Sequence, residues 1–215
     1  LEQTYQNFEI VIVNEYGSDD DTCFIAEIFG DKRIRIIQNT EKLGLAESLN
    51  LGIREAKGIY IARMDADDLC HQDRLRLQVE FLENNKDFGI CGSWQHHFGI
   101  KTEWIHKCSV SYEDIQAELL FNCDLCHSTL MLRKEYFIEN NLFYDSSYAA
   151  EDYELWTRAV RKFKIANLPM VLGEYRVGES NITAKKMDML SLESGQLAAR
   201  NIQYYFKVKI SSEMI

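Results

Sequence analysis

Short apolar runs alternate with amphipathic stretches along the first part of the chain. Residues 8–13 form a β-rich run, a polar turn through Tyr16, Gly17, Ser18, Asp19, Asp20 and Asp21 follows, and Ile25, Ile28 and Phe29 then recur at helical spacing before Gly30. Residues 34–37 predict a second strand, while Leu45, Leu49, Ile53 and Ala56 predict a second helix with Gly58 as its stop. Residues 59–62 predict a third strand. Strands alternating with helices in this way predict an α/β layer with a largely parallel sheet.

Farther along, Leu75, Val79 and Leu82 mark a helix over 74–82, and Ser111 with Asp114 three residues later forms a capping-box pattern opening a helix through 121. Residues 128–133 read as a strand. Residues 151–163 predict a helix with Leu155, Trp156, Ala159 and Val160 on one side and Glu151 and Asp152 in its first turn, where acids are favoured electrostatically. Strands over 164–167 and 171–176 lead to a long polar-faced helix over 185–209, with Met187, Leu190, Leu197 and Tyr204 toward its apolar side. The single proline, Pro169, and the lack of a repeat or low-complexity linker favour one compact unit.

Composition narrows the function. The 215 residues suit one domain with a sizeable core, and a formal charge of −10 supplies no basic stripe for nucleic acid. An anionic ligand would be repelled on average by such a surface, and a bound cation would answer that locally. No apolar run approaches the roughly 18 to 20 residues of a membrane span. Six cysteines at irregular spacing read as free thiols and point to a reducing cytoplasm.

The sharpest chemical signal is the stretch Arg63, Met64, Asp65, Ala66, Asp67, Asp68 after the third strand. In extended backbone Asp65 and Asp67 would face one side and could share a hard cation, Mn²⁺ or Mg²⁺, whose shell water and a diphosphate would complete. An isolated acidic triplet is more often a solvated turn. Its place beyond a strand end, where open α/β sheets form their ligand crevice, favours the functional reading. Glu15 also follows a strand. Glu151 and Asp152 carry two readings, a simple helix-start preference or a catalytic role, and the helix N-terminus is expected to lower the pKa of Asp152. Cys123 and Cys126 form a lone pair without further zinc-ligand spacing and are expected to be buried thiols. His96 and His97 should face opposite sides of an extended segment.

These residues carry a resemblance. Asp65-Ala66-Asp67 is similar to the D-x-D motif of the family 2 glycosyltransferases of the GT-A fold. So, in the family's order, are the stretch from Gln3 to Glu9, Gly17-Ser18, Asn39 with Gly44-Leu45, Asn50-Leu51-Gly52, Ala56-Lys57-Gly58, Arg74-Leu75, Cys126-His127 and Glu151-Asp152. The resemblance implies a Rossmann-like sheet flanked by helices, with a catalytic domain over 1–183 and a C-terminal helical segment over 184–215. It implies an inverting transferase that moves a sugar from a nucleotide diphosphate donor, a UDP-sugar above all, to a hydroxyl of a glycan or lipid-linked acceptor in surface polysaccharide synthesis. In that scheme Glu15 contacts the base, although Asn14-Glu15-Tyr16-Gly17 departs from the commoner Asp-Asp-Gly. Asp65 lies near the ribose and shares the metal with Asp67, Arg63 faces the phosphates, His127 lines the acceptor side, and Asp152 of the Glu151-Asp152 pair is the general base. The family's opening strand has no counterpart here. Weak activity of the chain alone, and a second copy or segment covering the exposed edge, are the corresponding expectations. A cytoplasmic location with peripheral membrane contact goes with the same scheme. A sugar-phosphate nucleotidyltransferase, or a nucleotide-sugar-binding module without catalysis, stays open as an alternative.

Overall fold

The β-branched runs of the first part of the chain pair as expected. In the computed structural model, which describes residues 1–18, 20–178 and 187–210, β1 (Ile10–Asn14) lies parallel to β2 (Ile34–Gln38), and α1 (Thr22–Ile28) connects them. Asp19 of the polar turn and residues 185–186 of the expected last helix lie outside the described residues. The next helix, α2 (Gly44–Glu55), packs on β1 where Gly52 approaches Val13. It ends at Glu55, as Ala56 turns to an extended ψ of 135°, so Gly58 is not its stop. Its buried face is Ala46, Asn50 and Ile53, whereas Leu45 is exposed.

A second sheet of six strands has the order β3 (Tyr60–Ala62), β7 (Met131–Arg133), β5 (Phe88–Phe98), β8 (Lys164–Arg176), β4 (Leu69–Cys70), with β6 (Trp104–His106) on the far half of β5. Parallel pairing recurs between β5 and β8. The pairs β3–β7, β5–β7, β5–β6 and β4–β8 are antiparallel, so this sheet is mixed. The two strands expected over 164–167 and 171–176 are one continuous strand. Its register on β5 jumps from Ser93↔Leu168 to Trp94↔Val171, which sets Pro169 in a bulge where a missing N–H costs no ladder bond.

Helices α3 (Arg74–Asn84), α4 (Tyr112–Glu118), α5 (Lys134–Glu139), α6 (Glu151–Ala159) and α7 (Met187–Phe206) complete the described chain. Ser111 caps α4 by accepting from the Asp114 N–H at 3.2 Å. The main core gathers Phe137, Tyr153, Leu155, Trp156, Ala159 and Leu197 with Ile90, Leu130 and Leu132 of the sheet region. Leu197 of α7 belongs to that core, and Arg200 of α7 binds the buried Glu154 of α6 at 3.1 Å. The C-terminal helix therefore packs directly on the helix that carries Asp152.

In α3 the fully buried side chains are Arg74, Gln78 and Leu82, while Leu75 and Val79 are only partly buried. The polar pair is buried because it serves backbone carbonyls of three other segments, those of Arg63, of Thr129 and Leu130, and of Cys91. Arg74 Nη2 donates to the Arg63 carbonyl at 2.7 Å and the Leu130 carbonyl at 3.3 Å. Its Nε donates to Gln78 Oε1 at 3.1 Å, and Gln78 Nε2 donates to the carbonyls of Cys91 and Thr129. Arg74→Met keeps the apolar stem but leaves the Arg63 carbonyl and Gln78 Oε1 without this donor, and should lower unfolding free energy by about 2 to 4 kcal/mol. A urea melt would read this as a lower midpoint at unchanged slope.

Candidate active site

The acidic stretch begins where β3 ends. Arg63 N–H donates to the Leu130 carbonyl at 2.9 Å, after which the chain leaves the sheet. Asp65 to Asp68 form a turn closed by the Asp68 N–H on the Asp65 carbonyl at 3.3 Å, so the backbone is not the extended segment expected from sequence. Both guanidinium Nη atoms of Arg63 grip the Asp65 carboxylate, Nη1 to Oδ2 at 2.6 Å and Nη2 to Oδ1. Asp67 is exposed, and its carbonyl accepts from Arg176 Nε at 3.1 Å. Asp68, unassigned by sequence, is buried and its Oδ1 accepts the Arg176 N–H at 3.0 Å. Burial raises its pKa. The turn is thereby anchored to the end of β8 while Asp67 faces solvent.

The second carboxylate group stands at the start of α6. Ala150, at the N-cap, has no side chain to offer. Glu193 of α7 supplies the cap instead, accepting the N–H groups of Ala149 at 2.7 Å and Ala150 at 2.8 Å. Glu151 and Asp152 follow in the first turn. Asp152 Oδ1 accepts the Tyr153 N–H at 2.7 Å. Its pKa is raised, contrary to the lowering expected at a helix N-terminus. Desolvation is the largest cause and the Asp65 charge adds to it, while the Tyr153 N–H and the Arg63 charge oppose it. Withdrawal from water here outweighs one backbone donor and a helix end.

His127 occupies the 3₁₀ turn His127–Thr129 that precedes β7. Its Nδ1 lies 3.8 Å from Asp152 Oδ2 and its Nε2 is 2.7 Å from the Tyr144 hydroxyl. Burial, helped by the Arg63 charge, holds the imidazole pKa well below its ordinary value. Tyr144 is fixed by a reciprocal pair with Asn50 of α2, whose Nδ2 donates to the Tyr144 carbonyl at 2.9 Å and whose Oδ1 accepts the Tyr144 N–H at 2.8 Å. The fields of Arg63 and Asp65 reach both Asp152 and Tyr144. The structure thus brings Arg63, Asp65, His127, Tyr144 and Asp152 into one neighbourhood.

Glu15 is held elsewhere, at the β1–α2 junction. Its Oε1 accepts the N–H groups of Leu43 at 3.0 Å and Tyr16 at 2.9 Å and Asn39 Nδ2 at 3.3 Å, and its Oε2 accepts the Gly44 N–H at 2.6 Å. Gly44 adopts φ +77°, a conformation that only glycine takes without strain. These donors, Leu43 first, pull the Glu15 pKa down to about 2.

Among the described residues no three His, Cys, Asp or Glu side chains converge as a protein-only metal cage. The turn nevertheless fits a hard cation of the kind that needs only one or two carboxylates. Asp67 is exposed, and Asp65 retains lone pairs beside its Arg63 contacts. Cys126 is buried, Cys123 is half-buried, and both are free thiols. On β5, His96 lies 3.1 Å from Glu103 and 3.4 Å from Glu174, whereas His97 stacks on Trp104, in keeping with opposite faces. Sequence reasoning gave no role to Asp68, Asn50, Tyr144 or Glu193. Asp68, adjoining the acidic motif, and Asn50, within one of the ordered family stretches, had a local signal.

The pattern of glycosyl transferase family 2 matches residues 1–141. An "uncharacterized glycosyltransferase" of Haemophilus influenzae is 32% identical over 100% of this chain and 71% of its own length. A UDP-Glc:alpha-D-GlcNAc-diphosphoundecaprenol beta-1,3-glucosyltransferase of Escherichia coli is 29% identical over 97% of this chain and 81% of its own. Against other glycosyltransferases the chain spans as little as 26% of their length. Among solved structures, a mannosyltransferase from Pyrobaculum calidifontis in complex with GDP-Man and Mn²⁺ aligns with a TM-score of 0.65 at 18% identity, over 99% of this chain and 59% of that one. The architecture is therefore of the GT-A type.

A carboxylate whose pKa is depressed by folding contributes stability that is complete above its unfolded value and is lost as the pH falls toward its folded value. Glu15→Gln should therefore melt at a lower temperature at neutral pH, and the gap to the parent should close as the pH falls from 4.5 to about 2. A gap unchanged across that range would assign the effect to shape and not to charge.

Proposed function

The chain belongs to glycosyl transferase family 2, and on that premise we propose that its crevice transfers a glycosyl group from a nucleoside diphosphate sugar to an acceptor hydroxyl, with inversion. The observation that carries this reading is the meeting of the Asp65–Asp67 turn with a partly desolvated carboxylate, Asp152, whose pKa is raised. A leaving-group site and a base in one crevice are the two functions that glycosyl transfer needs.

Asp152 accepts the proton of the acceptor hydroxyl as the oxygen attacks from the face opposite the departing diphosphate. Its raised pKa brings it closer to neutrality and makes it a stronger base than a solvated aspartate. Glu151, next to it, adds a second carboxylate at the crevice. Arg63 is held by Asp65 in the described structure, and a diphosphate entering the site takes up part of its donor capacity. Glu15 and the α2 N-terminus lie on the nucleotide side, where Glu15 acts through the base. Asp67, with Asp65, would hold Mn²⁺ or Mg²⁺, which supplies charge neutralisation for the departing diphosphate. The mannosyltransferase of the same fold in complex with GDP-Man and Mn²⁺ supports the use of a divalent cation. The E. coli relative supports a UDP-sugar donor and a lipid-diphosphate-linked acceptor, and with them a cytoplasmic, membrane-peripheral place of work. Among the described residues no helix is long and apolar enough to cross a membrane.

In the full-length protein, Asp152→Asn should lower turnover of UDP-glucose by about 10² to 10⁴-fold while donor affinity stays within about twofold. Turnover that survives this change would remove Asp152 from the role of base, and unchanged behaviour throughout would favour a binding module. Asp67→Asn should abolish the Mn²⁺-dependent part of UDP binding in calorimetry. If Mn²⁺ has no effect on UDP affinity in the parent protein, the metal assignment fails.

A further inference from the structure

We propose that His127, oriented by the Tyr144 hydroxyl, is a positioning residue that holds the Asp152 carboxylate in its working orientation by donating from Nδ1. This inference rests on the reading of Asp152 as base and adds to it the residues that aim the base.

Asp152 needs such a partner. Its Oδ1 is held by the Tyr153 N–H, a bond within its own helix turn that still leaves the carboxylate free to tilt. The group that faces Oδ2 is His127 Nδ1, at 3.8 Å. The separation is longer than a hydrogen bond, and catalytic hydrogen bonds are often long before substrate binds and tighten in the complex.

Orientation of the imidazole follows from its other nitrogen. Nε2 lies 2.7 Å from the Tyr144 hydroxyl, so one of the two groups donates to the other. If Nε2 carried the proton, the bare lone pair of Nδ1 would face the Asp152 anion, which is repulsive. If the tyrosine donates, Nε2 accepts and Nδ1–H points at the carboxylate, which is attractive. Burial disfavours both the imidazolium and the phenolate, so the pair stays neutral and the second arrangement is the one that satisfies every group.

The rest of the surroundings keep this line rigid. His127 packs edge-on against Trp156, with ring centroids 5.6 Å apart, and Tyr144 packs the same way at 6.0 Å. The Asn50 pair anchors the Tyr144 backbone to α2. A buried imidazole needs a partner such as the Tyr144 hydroxyl in any case, and what sets His127 apart is that its other nitrogen faces a partly exposed carboxylate.

Nitrogen-15 spectra of the full-length protein at neutral pH should show His127 as the neutral tautomer with its proton on Nδ1. A proton on Nε2 would overturn the inference without reference to any substrate. In UDP-glucose turnover, His127→Gln should lower kcat by about 100-fold with the donor KM within about twofold, the scale of a misaimed catalytic group. His127→Asn, whose amide nitrogen takes the place of Nδ1, should recover kcat to within about tenfold of the parent. Tyr144→Phe keeps the ring packing, frees the imidazole tautomer and should lower kcat by about tenfold. Equal losses in the Asn and Gln variants, or unchanged kcat in both His127→Gln and Tyr144→Phe, would refute the positioning role. If those variants are silent while Asp152→Asn is dead, the base assignment survives and only this inference falls. If Asp152→Asn stays active, both fall.

Discussion

One buried guanidinium ties together the two segments on which the site is built. Arg74 is 1% exposed and donates to the carbonyls of Arg63 and Leu130, the first leading into the acidic turn and the second following the His127 turn. Among the described residues its hydrogen-bond acceptors are all uncharged. Neutral carbonyls and Gln78 absorb the charge, and such charge-assisted bonds are stronger than neutral ones. Because the floor beneath both turns is rigid, the exposed side chain of Asp67 can face solvent without the turn itself collapsing.

Two carboxylates at helix N-termini illustrate how little position alone decides. Glu15 is served by three backbone N–H groups and one amide, and its pKa falls to about 2. Asp152 has one backbone donor and is partly withdrawn from water, and its pKa rises. The first pins the start of α2. The second is left with a raised affinity for a proton. The number of donors and the degree of desolvation set the direction of the shift.

Arg63 links the two halves of the crevice. Its charge is spent on Asp65 in the described structure, yet it also acts on Asp152, His127 and Tyr144. In a chain of net charge −10 a single well-placed cation can govern the potential at an otherwise acidic site. Glu193 makes a comparable link from the opposite direction. By capping the turn before α6 it makes the C-terminal helix part of the apparatus that presents Asp152.

What the sequence determined by itself were the features written in local pattern. The β-branched runs of β1 and β2, the helices between them, the Ser111 cap and the acidic stretch after β3 all follow from spacing and residue type over a few positions. The ordered family motifs located Asp65, Asp67 and Asp152 along the chain. Only the tertiary structure decided that Arg74 and Gln78, and not Leu75 and Val79, are the fully buried face of α3, that one strand runs through Pro169, and that Asp152 is raised and not lowered in pKa. It alone joined Asn50 to Tyr144 across 94 positions. These outcomes depend on which unpaired carbonyls a side chain meets and how much water is excluded around it. Both are properties of distant segments brought together, and no local window of sequence contains them.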